Sequence, residues 1–278
     1  MDHVSFPFLV SDIDGTLIGP DKEISAVNMS SIIDYRRRGG TFTLATGRSL
    51  MEARRFIDKL NLEIPVILCN GALLFDPLSR RLKPVQTMPE EVLFSILGEL
   101  EAVLPPTIDL FVYGIENVYA TKVGPLAEAG LDNIDFRVEL LETFDNLPAQ
   151  PWIKIIAIGE KNELSQVNAL LAQTDQPVEV ILSSDNYLEI LPCGVSKGAA
   201  VTELLARLDL SPDRAAAVGD HLNDISMLQV VGLGAAVANA HPLVLQQADV
   251  IVPSNREHGV SHLIRHHLLA SVSHAQTP

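Results

Sequence analysis

Cysteine is scarce in this chain: Cys69 and Cys193 are the only two in 278 residues. They form no CxxC pair and no disulfide framework, so two reduced thiols in a cytoplasmic protein are expected. Positive charge is also short, with 20 Lys and Arg against 35 Asp and Glu and a net charge of -15. Non-specific nucleic-acid binding needs Lys and Arg to neutralise phosphates, so no nucleic-acid partner is expected. No apolar run is long enough to span a bilayer. The opening "MDHVSFPFLVSDIDG" lacks the basic start and small-residue cleavage site of a signal peptide. There is no internal repeat and no low-complexity tract. An acidic chain that handles an anionic substrate must find positive charge locally, in a metal ion or in placed Lys and Arg.

What is present is an alternation of apolar strands and amphipathic helices. "FPFLV", "GTFTLAT" (Gly40 to Thr46) and "IPVILCN" (Ile64 to Asn70) are short, continuous and apolar, the pattern of strands covered on both faces. Ser25 caps a helix that runs into Arg36, Arg37 and Arg38, read as a solvated helix end, and stops at Gly39-Gly40. Ser49 and Glu52 make a capping box that opens a second helix to about Leu60. The alternation returns with "VSKGAAVTELLARLDL", "RAAAVGD", "NDISMLQVVG", "GAAVAN" and "ADVIVP". Such an order predicts right-handed crossovers and a parallel sheet.

Between about Pro84 and Leu191 the pattern changes to period two, as in "IDLFVYG", "PWIKIIAIG" and "NYLEILP". This predicts an antiparallel sheet with one wet face and helices at about Pro89 to Leu104 and Asn162 to Thr174 on the other. Trp152 reads as core. The expected organisation is residues 1–83 and 192–278 as an α/β domain with an α+β module, 84–191, inserted. No segment of the insert shows a recognisable substrate pocket.

In open α/β sheets, ligands bind beyond the carboxyl ends of the strands. Those ends carry Asp12 and Asp14, then Thr46-Gly47-Arg48, then Asn70-Gly71, then Asp220 with Asn223 and Asp224. Lys197 starts the helix that leads back into the α/β domain. Two carboxylates in one cavity repel by several kcal/mol at an effective dielectric of about 20. Four are stable with a cation among them, and all-oxygen ligands favour Mg²⁺. Thr46 and the Gly47 N–H offer phosphate donors at a helix start, and Lys197 a point charge. One carboxylate can attack phosphorus and the other can transfer protons. Gly15 permits the tight turn after the first strand, where a larger side chain would crowd a phosphate.

"DIDGT", "ATGR", "GVSKG" and "GDHLND", in that order, resemble the four signature motifs of the haloacid dehalogenase superfamily of phosphatases. The insert and the tail "NAHPLVLQQADVIVPSNREHGV" resemble the Cof-like subgroup, class IIB. The resemblance implies a Rossmannoid parallel-sheet core with an inserted α+β cap. It implies Mg²⁺-dependent hydrolysis of small organic phosphomonoesters, especially sugar phosphates, through an aspartyl-phosphate. By this likeness Asp12 is nucleophile and metal ligand. Asp14 is general acid/base, with its backbone carbonyl on the metal. Thr46 and Lys197 bind phosphate, and Asn223 matches an Asn that touches it. Asp220 is a metal ligand, and Asp224 a direct or water-mediated one. Asn70 and Gly71 line the site, and Arg48 either touches substrate or pairs with a carboxylate. The sequence departs from the pattern at His221, where a small residue is usual, and at His258, which replaces an Asp.

Rival readings remain. A phosphomutase would use the same two aspartates, and a catalytically idle phosphate-binding regulator would share the fold. A dehalogenase lacks the second Asp, and a phospho-receiver is under half this length. His258, His262 and His266 recur every four residues, which reads as a polar helix face in preference to a metal stripe. Oligomeric state is left open.

Overall fold

A computed structural model of the chain describes residues 4–131 and 138–269. The first part runs β1 (Phe8–Ser11), α1 (Ala26–Arg37), β2 (Thr41–Leu44), α2 (Leu50–Leu60), β3 (Val66–Leu68), β4 (Leu73–Asp76) and β5 (Arg81–Pro84). The middle part runs α3 (Glu90–Glu101), β6 (Asp109–Gly114), β7 (Val118–Ala120), α4 (Pro125–Leu131), β8 (Val138–Leu140), β9 (Trp152–Ile158), α5 (Lys161–Leu171), β10 (Val178–Ser184) and β11 (Tyr187–Pro192). The last part runs α6 (Lys197–Arg207), β12 (Ala215–Gly219), α7 (Ile225–Gln229), β13 (Leu233–Val237), α8 (Pro242–Gln247), β14 (Val250–Val252) and α9 (Gly259–Leu263).

The central sheet has the order β14-β13-β12-β1-β2, and every pair in it is parallel. β1 therefore lies between β12, contributed by the far end of the chain, and β2. That placement brings Asp12 beside the loop after β12. β1 and β12 are buried throughout and β2 and β13 beyond their first residues, which is why they read as unbroken apolar runs, while the edge strand β14 exposes Ile251. The predicted caps are present. Ser25 Oγ accepts from the Asn28 N–H at 3.1 Å, and the Glu52 carboxylate accepts from the Ser49 N–H at 2.7 Å. Glu52 and Ser49 thereby satisfy donors that a helix start leaves unpaired. Among the described residues, no helix is long and apolar enough to cross a membrane.

β3 falls in the expected strand "IPVILCN", whereas β4 and β5 escaped the strand pattern. β3, β4 and β5 form a small antiparallel meander, joined to the central sheet by a parallel bridge between Ala45 and Ile67. The turn into it is made by Cys69, Asn70 and Gly71, all at positive φ. "CNGALLFD" offers no alternation to read, because Leu73, Leu74 and Phe75 are all buried.

The insert is a six-stranded sheet of order β10-β11-β9-β6-β7-β8, antiparallel except for the short β7–β8 pair. Its predicted wet face is not wet. Leu110, Val112, Ile155 and Leu188 pack with α3 and α5 in one hydrophobic cluster. Phe111, Tyr113, Ile156, Ile158 and Leu191, on the opposite face, join the cluster of the central sheet. The period-two reading of β9 and β11 was right, but the polar residues on the second face, Lys154 and Glu189, are buried against the α/β part. Alternation reports which residues share a face. It does not report whether water or another domain covers that face. Trp152 is core as expected, with its ring edge-on to Tyr119 at 5.8 Å between centroids. The chain crosses between the two parts after Pro84 and after Pro192, each the last residue of its strand, and Gln86 Nε2 donates to the Cys193 carbonyl across the two crossings.

Gly71 is the residue on which the first turn depends. Its φ is +105°, and an added Cβ would lie 2.3 Å from the carbonyl oxygen of Ser196, the N-cap of α6. Gly71→Ala combines left-handed strain with a backbone clash. It is expected to lower unfolding free energy by about 2 kcal/mol or more, read as a lower urea midpoint at unchanged slope.

Candidate active site

Four loop ends converge above the central sheet. Asp12 follows β1 directly, with its N–H bonded to Val218 O at 3.0 Å, so the nucleophile candidate is fixed by the sheet ladder itself. Lys197 opens α6, whose first turn is capped by Ser196 Oγ on the Ala199 N–H at 3.1 Å. The Lys197 ammonium donates to Asp12 Oδ1 and to Asp224 Oδ1, each at 2.6 Å. All three side chains are at most 8% exposed, so water does little of the solvating. Asp224 Oδ2 accepts from the backbone N–H groups of Asp220 and His221 at 2.8 and 2.9 Å. It thus shapes the loop after β12 while pairing with Lys197. Asp220 Oδ1 accepts from Thr16 Oγ1 at 2.7 Å.

Asp12, Asp220 and Asp224 each bring a carboxylate oxygen within 4.8 Å of the other two. With one ammonium among three carboxylates, the cluster is two positive charges short when fully ionised. Burial, reinforced by repulsion from Asp224, pushes the Asp220 carboxyl up to about 7. Burial is also the main force raising Asp12 well above the usual carboxylate range; Lys197 opposes it and the other three aspartates add to it. Burial pulls the Lys197 ammonium down, but Asp12 and Asp224 outweigh it and hold the group protonated. A hard divalent cation fits this donor set in both charge and atom type. Asp12 and Asp220 each have their second oxygen, Oδ2, outside the bonds just described. Asp224 is already committed on both oxygens.

Asp14 stands apart from the three. Its carboxylate is 55% exposed and forked by Arg48, Nε to Oδ2 at 2.6 Å and Nη2 to Oδ1 at 2.7 Å. Of the two readings of Arg48, the carboxylate pair is the one formed in this structure, and the Phe56 ring supports the guanidinium from below at 5.1 Å. Thr46 is buried, with its hydroxyl accepting from the Arg48 N–H at 3.2 Å. Gly15 has φ +79°, and a Cβ there would sit 2.3 Å from Asp220 Oδ2. The crowding that forbids a side chain at Gly15 therefore comes from the Asp220 carboxylate, where a phosphate was expected. Gly47 is held close as well, since its Cβ would meet Asn70 and Glu189 at 3.3 Å.

Two charged residues of the insert reach this site and were not singled out from sequence. Lys154 Nζ donates to Glu189 Oε2 at 2.7 Å and to the Gly47 carbonyl at 2.9 Å. Glu189 Oε2 also accepts from Asn70 Nδ2 at 3.1 Å, and Asn70 Oδ1 accepts from Asn223 Nδ2 at 2.9 Å. The polarity of this chain follows from its first member. A carboxylate paired with an ammonium only accepts, so Asn70 must turn its amide N–H to Glu189 and its oxygen to Asn223. The sequence signal was a lone charge inside "WIKIIAI" and "YLEIL". The tail contributes too. Asn239 Nδ2 donates to Gly15 O at 2.8 Å, Asn255 Nδ2 to Ile18 O at 2.9 Å, and His241 N to Asp220 O at 2.8 Å. These bonds hold the two acidic loops in place. His221 is half-buried, and burial holds its imidazole below the usual range. His258 sits at φ +63° between a 3₁₀ turn and α9. His262 and His266 stack at 4.3 Å, and neither they nor His258 belong to a cluster of three metal-ligating groups among the described residues.

A family model described as haloacid dehalogenase-like hydrolase matches residues 9–264. The chain is 27% identical over 269 residues to the 5-amino-6-(5-phospho-D-ribitylamino)uracil phosphatase YcsE of Bacillus subtilis, covering 96% of this chain and 98% of that protein. It is 28% identical over 261 residues to an HMP-PP phosphatase of Cronobacter sakazakii, covering 92% and 94%. Among solved structures, a subclass IIB sugar phosphatase of the same superfamily superposes with a TM-score of 0.79 at 19% identity, covering 93% of this chain and 98% of that one. That likeness speaks to the fold.

The raised carboxyl of Asp220 has a measurable consequence for the metal-free protein. A native pKa above the unfolded value means that the folded state binds more protons, so stability falls as pH rises from about 4 through 7. In EDTA, the melting temperature should drop between pH 5 and pH 8, while Asp220→Asn should flatten the drop and melt several degrees higher at pH 8. Parallel curves for the two proteins would show that Asp220 carries no such charge penalty.

Proposed function

We propose that this chain, which belongs to the haloacid dehalogenase-like hydrolases and to their Cof-like class IIB group, is a Mg²⁺-dependent phosphatase of small organic phosphomonoesters. The observation that carries the reading is the Lys197 ammonium bridging Asp12 and Asp224 at 2.6 Å within a carboxylate cluster that lacks two positive charges. In this reading Asp12 and Asp220, with the Asp14 carbonyl, would hold the ion, and Asp224, with both oxygens already bonded, fixes the loop and would act on the ion through water. The ion supplies charge neutralisation for the transferring phosphoryl oxygens.

The chain's own groups do the rest. Lys197 orients the Asp12 carboxylate through Oδ1, and that carboxylate attacks phosphorus. Thr46 and the Gly47 N–H, with Lys197, receive the equatorial oxygens. Asp14 gives a proton to the leaving alcohol and then takes one from the water that cleaves the phosphorylated Asp12. Arg48 holds Asp14 outside the carboxylate cluster, and because its fork occupies both carboxylate oxygens it must release Asp14 for either transfer. The insert lies over Gly47 and Asn70 through Lys154 and Glu189, and excludes bulk water while the phosphoryl group moves. The two relatives are named for phosphates of different organic groups, and the fold neighbour for sugar phosphates. We carry over only what these share, a small phosphorylated metabolite, and place the enzyme in the cytoplasm.

Asp12→Asn should abolish phosphate release from p-nitrophenyl phosphate, by at least a thousandfold, while leaving the protein folded by circular dichroism; turnover near wild type would remove Asp12 as nucleophile. Separately, EDTA should stop the reaction and excess Mg²⁺ restore it, and activity that persists in EDTA would reject the metal site.

A further inference from the structure

The Thr46 hydroxyl accepts a hydrogen bond but gives none. The residue is buried, and its Oγ1 accepts from the Arg48 N–H at 3.2 Å. Ser11, Thr16, Thr43 and Ser49 are buried hydroxyls of the same part of the chain. All four donate, to Asp12 O, Asp220 Oδ1, Pro65 O and Glu52 Oε2. Among the described residues, the Thr46 proton has no acceptor. A buried donor left unpaired is costly unless a ligand takes it. The turn that carries this hydroxyl is fixed, because Thr46 O and Arg48 O accept from the Asn70 and Cys69 N–H groups at 3.0 Å each.

The Arg48 N–H belongs to the same planar amide as the Gly47 carbonyl, and that carbonyl accepts from Lys154 Nζ at 2.9 Å. In a trans peptide the two groups point opposite ways. The ammonium on one side and the Thr46 oxygen on the other are therefore the ends of one hydrogen-bonded line. Each bond in such a line polarises the next. A cation on the carbonyl strengthens the N–H as a donor, and that N–H on Oγ1 strengthens the hydroxyl. The insert itself holds the ammonium, through Glu189 Oε2 at 2.7 Å and the Tyr113 ring at 5.0 Å. Burial pulls the group down, but Glu189 outweighs burial and keeps it charged. Among the described residues, the hydrogen bond to Gly47 is the one this ammonium makes outside the insert. We infer that Lys154 is a positioning residue of the reaction: through the Gly47–Arg48 amide it strengthens the Thr46 hydroxyl that receives a phosphoryl oxygen. Seated on the turn, the insert makes that turn a better anion binder as well as excluding water. The inference rests on the phosphatase reading and adds to it a residue that acts through another.

The test is a double-mutant cycle between Lys154 and Thr46, two side chains with the amide between them, read as kcat/KM for p-nitrophenyl phosphate. Lys154→Met should cost about tenfold with Thr46 in place and less than about twofold on a Thr46→Val background. Lys154→Arg keeps a charged donor and should recover most of the loss. A Lys154 that only aligned the insert would cost the same on both backgrounds. That result, or no loss on either, overturns the inference and leaves the phosphatase reading standing. Should Lys154→Met strand Glu189 and fail to fold, Lys154→Met combined with Glu189→Gln replaces it in the cycle and is judged by the same ratios. If the wild-type protein does not hydrolyse p-nitrophenyl phosphate, the phosphatase reading fails. Calorimetric binding of inorganic phosphate by the same four proteins then decides the coupling: a loss confined to the Thr46 background supports it, and an equal loss or no binding overturns it.

Discussion

The Lys197 ammonium is the interaction on which the site depends. It is buried, and it touches carboxylates from two loops that lie 212 residues apart, Asp12 and Asp224. A buried ammonium is stable only beside such partners, and the carboxylates in turn tolerate burial only beside it. Removing the lysine would strand two anions in a dry cleft, with Asp220 as a third close by. The arrangement therefore joins both halves of the α/β part through one nitrogen atom. It also leaves a charge deficit that shapes the rest of the site: the tight Gly15 turn beside Asp220, the Thr16 hydroxyl on that carboxylate, and the tail asparagines that hold the loop.

A second buried pair performs the corresponding task for the insert. Lys154 and Glu189 sit where a solvated sheet face was expected, and their remaining hydrogen bonds go to Gly47 and Asn70 of the other domain. The insert is thereby tied to the Thr46-Gly47-Arg48 turn. A charged pair in this position is no cheap source of stability, because desolvation cancels much of the attraction. What it provides is direction: an accepting carboxylate imposes a single orientation on Asn70, and through it on Asn223. The apolar contacts around Phe111, Ile156 and Leu191 hold the two domains together, and the ion pair sets their alignment.

Much of the site was legible because its chemistry is local. Asp12 and Asp14 follow an apolar strand, Ser49 and Glu52 are spaced for a cap, and Lys197 opens a helix. Each such pattern depends on residues within a few positions of one another. β3 was legible as an apolar run, but its antiparallel pairing with β4 and β5 was not, since a strand's partners are not written in its own residues. The roles of Asn239 and Asn255 were hidden for another reason: their partners, Gly15 and Ile18, are more than 200 residues away. Asp14 illustrates the limit from the other side. Its place beside Asp12 was evident, but its separation from the carboxylate cluster follows from Arg48, 34 residues on.

The sequence alone determined the layered α/β architecture, the inserted α+β module, and which side chains stand at the strand ends. Hydrophobic period and capping chemistry act within one element, so the chain's order is enough to read them. Tertiary structure decided which charges are paired and which are left over, and which face of the insert is dry. Those depend on what lies across a gap in space, and the energy of a charge or an unpaired N–H is set by that neighbour and by the exclusion of water, neither of which is written along the chain.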